Sequence, residues 1–81
     1  MSGRIRVLSG KDVTKIIEKY GFIQTRSVGS HVRMTYKTSS ASFHITIPLH
    51  KELKRGTLSD IIKELEQCVT KENLKKDFYA N

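Results

Sequence analysis

Three consecutive residues, Gly29-Ser30-His31, hold the most reactive combination in the sequence. Histidine exchanges a proton near neutral pH, so it can serve as a general acid or base. Serine offers a hydroxyl and a backbone N–H to a phosphate oxygen, and glycine permits a tight turn and close approach by a ligand. Ribonucleic acid carries its own nucleophile, the 2′-hydroxyl. A base that takes its proton promotes attack on the neighbouring phosphorus, and nearby cations stabilise the crowded phosphate. Such chemistry requires neither a metal nor another cofactor. A surface histidine bordering a hairpin has the same tripeptide, so these residues alone leave both readings open.

Other residues would have to bind. Arg26, Arg33, Lys37, His44 and Thr46 alternate with apolar positions in a way that gathers them with His31 on one polar sheet face, without large apolar side chains. An ordinary solvated face has the same pattern. The run His50-Lys51-Glu52-Leu53-Lys54-Arg55-Gly56-Thr57 delivers cations to the start of a helix, where free N–H groups already favour an anion. A solvated connecting loop would look no different. Lys11 lies on the polar side of an earlier helix. No Cys, His or carboxylate cluster has metal-ligand spacing, and no P-loop or dinucleotide fingerprint is present.

The elements that must position these groups are legible from periodicity. Ser9 and Asp12 form a capping box, Leu8 can staple against Val13, and Val13, Ile16, Ile17 and Tyr20 make one apolar stripe. Gly21 ends that helix, with Phe22 folding back on Ile17. A short, weak strand is expected from Ile23 to Ser27. Val32, Met34 and Tyr36 then alternate with polar residues, as do Phe43, Ile45 and Ile47. Pairing Tyr36 with Phe43 sets Met34 against Ile45 and Val32 against Ile47. The polar set follows, with Thr35 facing His44, Arg33 facing Thr46 and His31 facing Pro48. A slip by one residue would mix the faces.

In that register His44 is four residues along the hairpin from the partner of His31, ~13 Å away and too far for one scissile phosphate. His50 is the nearer histidine, expected to help position the substrate or protonate the leaving group. Thr57 is expected to cap a second helix with Asp60, burying Leu58, Ile61, Ile62 and Leu65. Cys68 falls on the same apolar face, which suits a small buried hydrophobe better than a nucleophile. Thr70 caps a last short helix carrying Leu74 and Phe78. The order helix, three strands, helix implies an α+β two-layer fold, a three-stranded antiparallel sheet with both helices on one face. One domain spanning 1–81 is expected, with its core in 8–69, a helical tail in 70–81 and a loose end at Met1-Ser2-Gly3-Arg4.

Composition narrows the class of partner. Fifteen Lys and Arg against eight Asp and Glu leave a net charge of +7, which attracts polyanions, nucleic acid foremost. A single cysteine cannot form an internal disulfide, and no apolar run approaches the ~20 residues of a membrane span. No signal-peptide pattern opens the sequence, so a cytoplasmic location is expected.

In their order, Leu8-Ser9-Gly10-Lys11, Tyr20-Gly21-Phe22, Gly29-Ser30-His31, Ile47-Pro48-Leu49-His50 and Lys54-Arg55-Gly56-Thr57-Leu58 with Ile61-Ile62 resemble the HicA toxins of bacterial and archaeal toxin–antitoxin pairs. The likeness covers roughly residues 8 to 66. It implies a fold like the double-stranded-RNA-binding domain, an endoribonuclease that cleaves mRNA and halts translation, and a HicB antitoxin that silences it. The family's catalytic histidine corresponds to His31. Gly29, Ser30, Arg26, Arg33, Lys11, His50, Lys54, Arg55 and Thr57 are the expected RNA contacts. The family often has an aromatic or His after the Gly-Ser-His motif where this chain has Val32. Two competing readings remain at this level: a non-catalytic module that grips duplex RNA, and a regulatory protein that binds an acidic partner.

Overall fold

The computed structural model describes residues 3–80, so Met1 and Ser2 of the expected loose end lie outside the described residues, whereas Arg4, expected in that loose end, pairs with Ala80 in a short strand. The chain runs β1 (Arg4–Ile5), α1 (Gly10–Glu18), β2 (Ile23–Val28), β3 (His31–Lys37), β4 (Ser42–Pro48), α2 (Arg55–Leu65), α3 (Lys71–Phe78) and β5 (Tyr79–Ala80). Strands β2, β3 and β4 form an antiparallel sheet in that order, and β1 pairs with β5 in a separate two-stranded sheet. Val32, Met34, Ile45 and Ile47 project from one sheet face into a core shared with Val13, Ile16 and Ile17 of α1 and Leu58, Ile61, Ile62 and Leu65 of α2. The molecule measures 18 Å along its shortest axis, as befits a sheet under a single layer of helices.

Helix α1 is fixed locally at both ends. The Ser9 hydroxyl accepts from the Asp12 N–H at 3.0 Å, and the Asp12 carboxylate accepts from the Ser9 N–H at 3.0 Å. The bond from the Ser9 N–H, and after it the Ser9 side chain, hold the Asp12 carboxyl below the ordinary carboxylate range. At the other end the Phe22 N–H reaches the Ile17 carbonyl (3.2 Å) and the Gly21 N–H reaches that of Glu18 (3.0 Å), with Gly21 at φ 105°. This is the Schellman arrangement, and it drives Phe22 into the core, where only 1% of its surface is exposed.

The β3–β4 register pairs Tyr36 with Phe43, Met34 with Ile45, Val32 with Ile47 and His31 with Pro48, as the alternation requires. Three other expectations need correction. Strand β2 reaches Val28 instead of stopping at Ser27, and all of its residues are exposed because it forms the sheet edge beyond the helices. Its register shifts between Gln24 and Arg26, so Thr25 is the extra residue of a bulge. Helix α2 starts at Arg55 with Lys54 at the cap and no side-chain hydrogen bond there. Thr57 therefore sits inside the first turn, not before it, and caps nothing.

The third correction concerns the C-terminal segment. Thr70 caps α3, its hydroxyl accepting from the Asn73 N–H at 3.2 Å. Leu74 and Phe78 then enter the main core, and Phe78 is wholly buried. The Arg6 N–H donates to the Phe78 carbonyl (2.8 Å), joining the two ends of the chain. Lys19 and Tyr20, just past the end of α1, both grip Asp77, at 3.1 and 2.7 Å. The tail is thus part of the packed body: a large aromatic ring that can be fully covered is not left to fray.

Candidate active site

His31 is the first residue of β3, placed there by a two-residue turn. Val28 pairs with His31, leaving Gly29 and Ser30 between the strands, and Gly29 has φ 58°. Positive φ at the first turn position matches a type II′ hairpin turn, whose twist suits the flanking strands. A Cβ on Gly29 would meet nothing within 4 Å, so backbone conformation and not space calls for glycine. The Ser30 carbonyl accepts from the Leu49 N–H, which ties the turn to the segment leaving β4.

Register places the neighbours of His31. Arg26 lies directly opposite Arg33, and Arg33 opposite Thr46, so all three share the sheet face that the helices leave open. With His31 and Val28 they line a recess of about 180 Å³. That is smaller than the ~300–1,000 Å³ of small-molecule pockets, and suits one segment of a polymer laid across an open face. Among the described residues the one ion pair joins Lys19 to Asp77, so neither arginine has a carboxylate partner. Like charges facing each other across antiparallel strands are destabilising, and an anion between them would remove that cost. No described side chain hydrogen-bonds the His31 imidazole, and His31 is exposed.

The other expected contacts lie outside this recess. Lys11 is on the first turn of α1, and the neighbouring Gly10 N–H donates to the His50 carbonyl at 2.9 Å. His50 follows two residues after Pro48, the partner of His31, and does not line the His31 recess. Arg55 lines a different hollow with Arg6 and Glu52, while Lys54 and Thr57 mark the start of α2. Gly29 and Ser30 form the rim of the His31 site. A larger hollow of about 300 Å³ lies between α2 and α3, lined by Ile62, Glu66 and Tyr79 among others, and contains no histidine.

The open face also differs from expectation in being partly apolar. The Thr25 bulge brings Ile23 onto the same side as Arg26 and Val28, and both apolar residues are more than half exposed. A strict period of two cannot announce an inserted residue, so no alternation in Ile23-Gln24-Thr25-Arg26 signals it. Thr35 was visible as the partner of His44, but not as a buried hydroxyl bonded to both Thr25 (2.8 Å) and His44 (3.0 Å). Cys68 packs beside the core, and burial raises its thiol pKa, which makes it a poorer nucleophile. Among the described residues no three His, Cys, Asp or Glu come together to hold a metal ion, and no helix is long and apolar enough to cross a membrane.

A family model described as the HicA toxin of bacterial toxin–antitoxin systems matches residues 10–67. That span runs from the start of α1 to just past α2 and contains the whole His31 recess. It ends before α3 and β5. Neither the curated proteins nor the solved structures returned a match.

Proposed function

The chain belongs to the HicA family of toxins from bacterial toxin–antitoxin systems, and from that premise we propose that it is an endoribonuclease cleaving mRNA at His31. The observation that carries this reading is the recess in which one exposed histidine adjoins two arginines with no acidic partner among the described residues. Bound across the recess, a phosphodiester would lie between the Arg26 and Arg33 guanidinium groups. His31 takes the proton of the adjacent 2′-hydroxyl. The 2′-oxygen then bonds to phosphorus while the bond from phosphorus to the 5′-oxygen breaks. The imidazolium of His31 returns its proton to that departing oxygen. A 2′,3′-cyclic phosphate and a free 5′-hydroxyl result, and charge on the crowded phosphate is met by the two arginines.

Gly29 and Ser30 let the backbone approach the substrate at the recess rim. Lys11, His50, Lys54, Arg55 and Thr57 contact flanking phosphates, and His50 helps to position the substrate or to protonate the leaving oxygen. No step uses a metal or cofactor. As a toxin the protein works in the cytoplasm, where its mRNA substrate is, and a HicB-type antitoxin silences it by covering this basic face.

Purified protein incubated with RNA in EDTA tests the assignment, wild type beside His31→Ala. Loss of a general acid–base should slow cleavage by about 10²–10⁴-fold while RNA binding persists. Equal rates for the two proteins, or cleavage only when metal is supplied, would sink the mechanism. Binding by the wild type with no turnover would favour a non-catalytic RNA-binding module.

A further inference from the structure

A second polar cluster occupies the same open face at the far end of β3. Thr25, the bulge residue, donates from its hydroxyl to the Arg33 carbonyl at 3.4 Å. It also contacts the Thr35 hydroxyl at 2.8 Å, and Thr35 contacts Nδ1 of His44 at 3.0 Å. Each hydroxyl has a single proton. If Thr25 spends its proton on Arg33, Thr35 must donate to Thr25, and His44 must donate its Nδ1–H to Thr35. The reverse polarity leaves the Arg33 contact without a proton. In the polarity that satisfies all three contacts, His44 donates from Nδ1 and its Nε2 is left as the acceptor.

Thr35 is only 3% exposed, so its hydroxyl is shielded from water, whereas Thr25 and His44 at either end of the chain are exposed. Beside it lies a hollow of about 240 Å³ lined by Gly21, Ile23, Thr25, Thr35 and Lys37. Thr35 is four residues from His31 on the same face, so the two sites are ~13 Å apart, a span of a few nucleotides along an extended strand.

We propose that His44 is an RNA-selective positioning residue, whose Nε2, oriented through Thr35 and Thr25, accepts a hydrogen bond from a substrate 2′-hydroxyl. The proposal rests on the reading that the open face binds RNA. An acceptor nitrogen repels phosphate oxygens and is complementary to an O–H. The sugar–phosphate backbone of RNA presents that donor on every ribose, and DNA lacks it. Lys37, next to the cluster, supplies the charge for an adjoining phosphate. RNA would then be held at two points, with the scissile phosphate at His31 and a distant ribose at His44.

The test measures binding by the full chain in a His31→Ala background, so that cleavage does not consume the probe. The probes are a fluorescent oligoribonucleotide and the all-deoxy oligonucleotide of the same base sequence, compared at one salt concentration. The His31→Ala protein should prefer RNA. Adding His44→Ala should weaken RNA binding about fivefold, the effect of one neutral hydrogen bond, and leave DNA binding unchanged. Thr35→Val, which frees the ring, should move the preference the same way, and His44→Gln should retain part of it. Equal weakening for RNA and DNA, no change for either, or no measurable RNA binding overturns the proposal. If the RNA preference follows His44 but the wild type never cleaves, the cleavage assignment falls and this one stands. If His31 cleaves but the preference ignores His44, the reverse holds.

Discussion

Replacing Gly10 by alanine tests how the core and the His31 site are joined. Gly10 opens α1 and is buried against the end of β4. An added Cβ would collide with the Pro48 carbonyl oxygen and lie 2.8 Å from Leu49 Cα and 3.0 Å from the Pro48 carbonyl carbon. All of these are backbone atoms, so no side chain can rotate away and the segment itself must shift. Overpacking of this kind costs about 1–3 kcal/mol. The usual gain from alanine in a helix interior, about 0.5–1 kcal/mol, applies weakly at a first helical position. In a domain of this size each kcal/mol moves Tm by about 4–8 °C, so a drop of roughly 5–20 °C is expected. Gly56→Ala in α2 is the control: nothing lies within 4 Å of its Cβ, so that variant should gain about 0.4–1 kcal/mol. Thermal melts followed by circular dichroism at 222 nm, a signal that reports helix, compare the two. A Gly10→Ala protein as stable as wild type would refute the close approach. Because Pro48 faces His31 and Leu49 holds Ser30, cleavage should fall by more than the unfolded fraction explains.

The remaining predictions concern the C-terminal segment and its contacts. Burial pushes the Asp77 carboxyl up, but hydrogen bonds from Tyr20 and Lys19 outweigh it and leave the pKa below the ordinary value. A depressed carboxylate contributes stability above the unfolded pKa and loses it as pH falls through the folded one. Wild type should therefore lose this contribution below about pH 4, while Asp77→Asn shows a flatter acid limb in urea melts. Tyr20→Phe should cost roughly 0.5–1.5 kcal/mol at neutral pH, and unchanged stability would argue against the Tyr20–Asp77 bond. Phe78→Ala should cost about 3–5 kcal/mol, and ending the chain at Thr70 should abolish cooperative unfolding. A truncated chain that melts like the full one would show that α3 is dispensable.

What the sequence determined by itself are the features whose causes lie close together along the chain. Ser9 and Asp12 are three residues apart, and their capping box forms from contacts within one turn. Gly21 and Phe22 close the same helix by bonds to Glu18 and Ile17. The β3–β4 register was equally legible, because a polar and an apolar face admit a single pairing without mixing. The Gly29-Ser30-His31 turn could likewise be read from glycine's tolerance of positive φ.

Tertiary structure decided what depends on distant partners. Whether Phe78 is buried depends on a core built largely from residues far earlier in the chain, and no local pattern contains that information. The start of α2 moved because Thr57, three residues beyond Lys54, has a residue type that caps helices but a position inside the turn. The Thr25 bulge turned Ile23 onto the open face opposite Thr35, on the same side as Arg26 and Val28. His31 could be named from its neighbours in sequence. The two arginines that give its recess an anion-binding character face each other only through strand pairing: the two-residue turn sets Val28 against His31 and so brings Arg26 opposite Arg33.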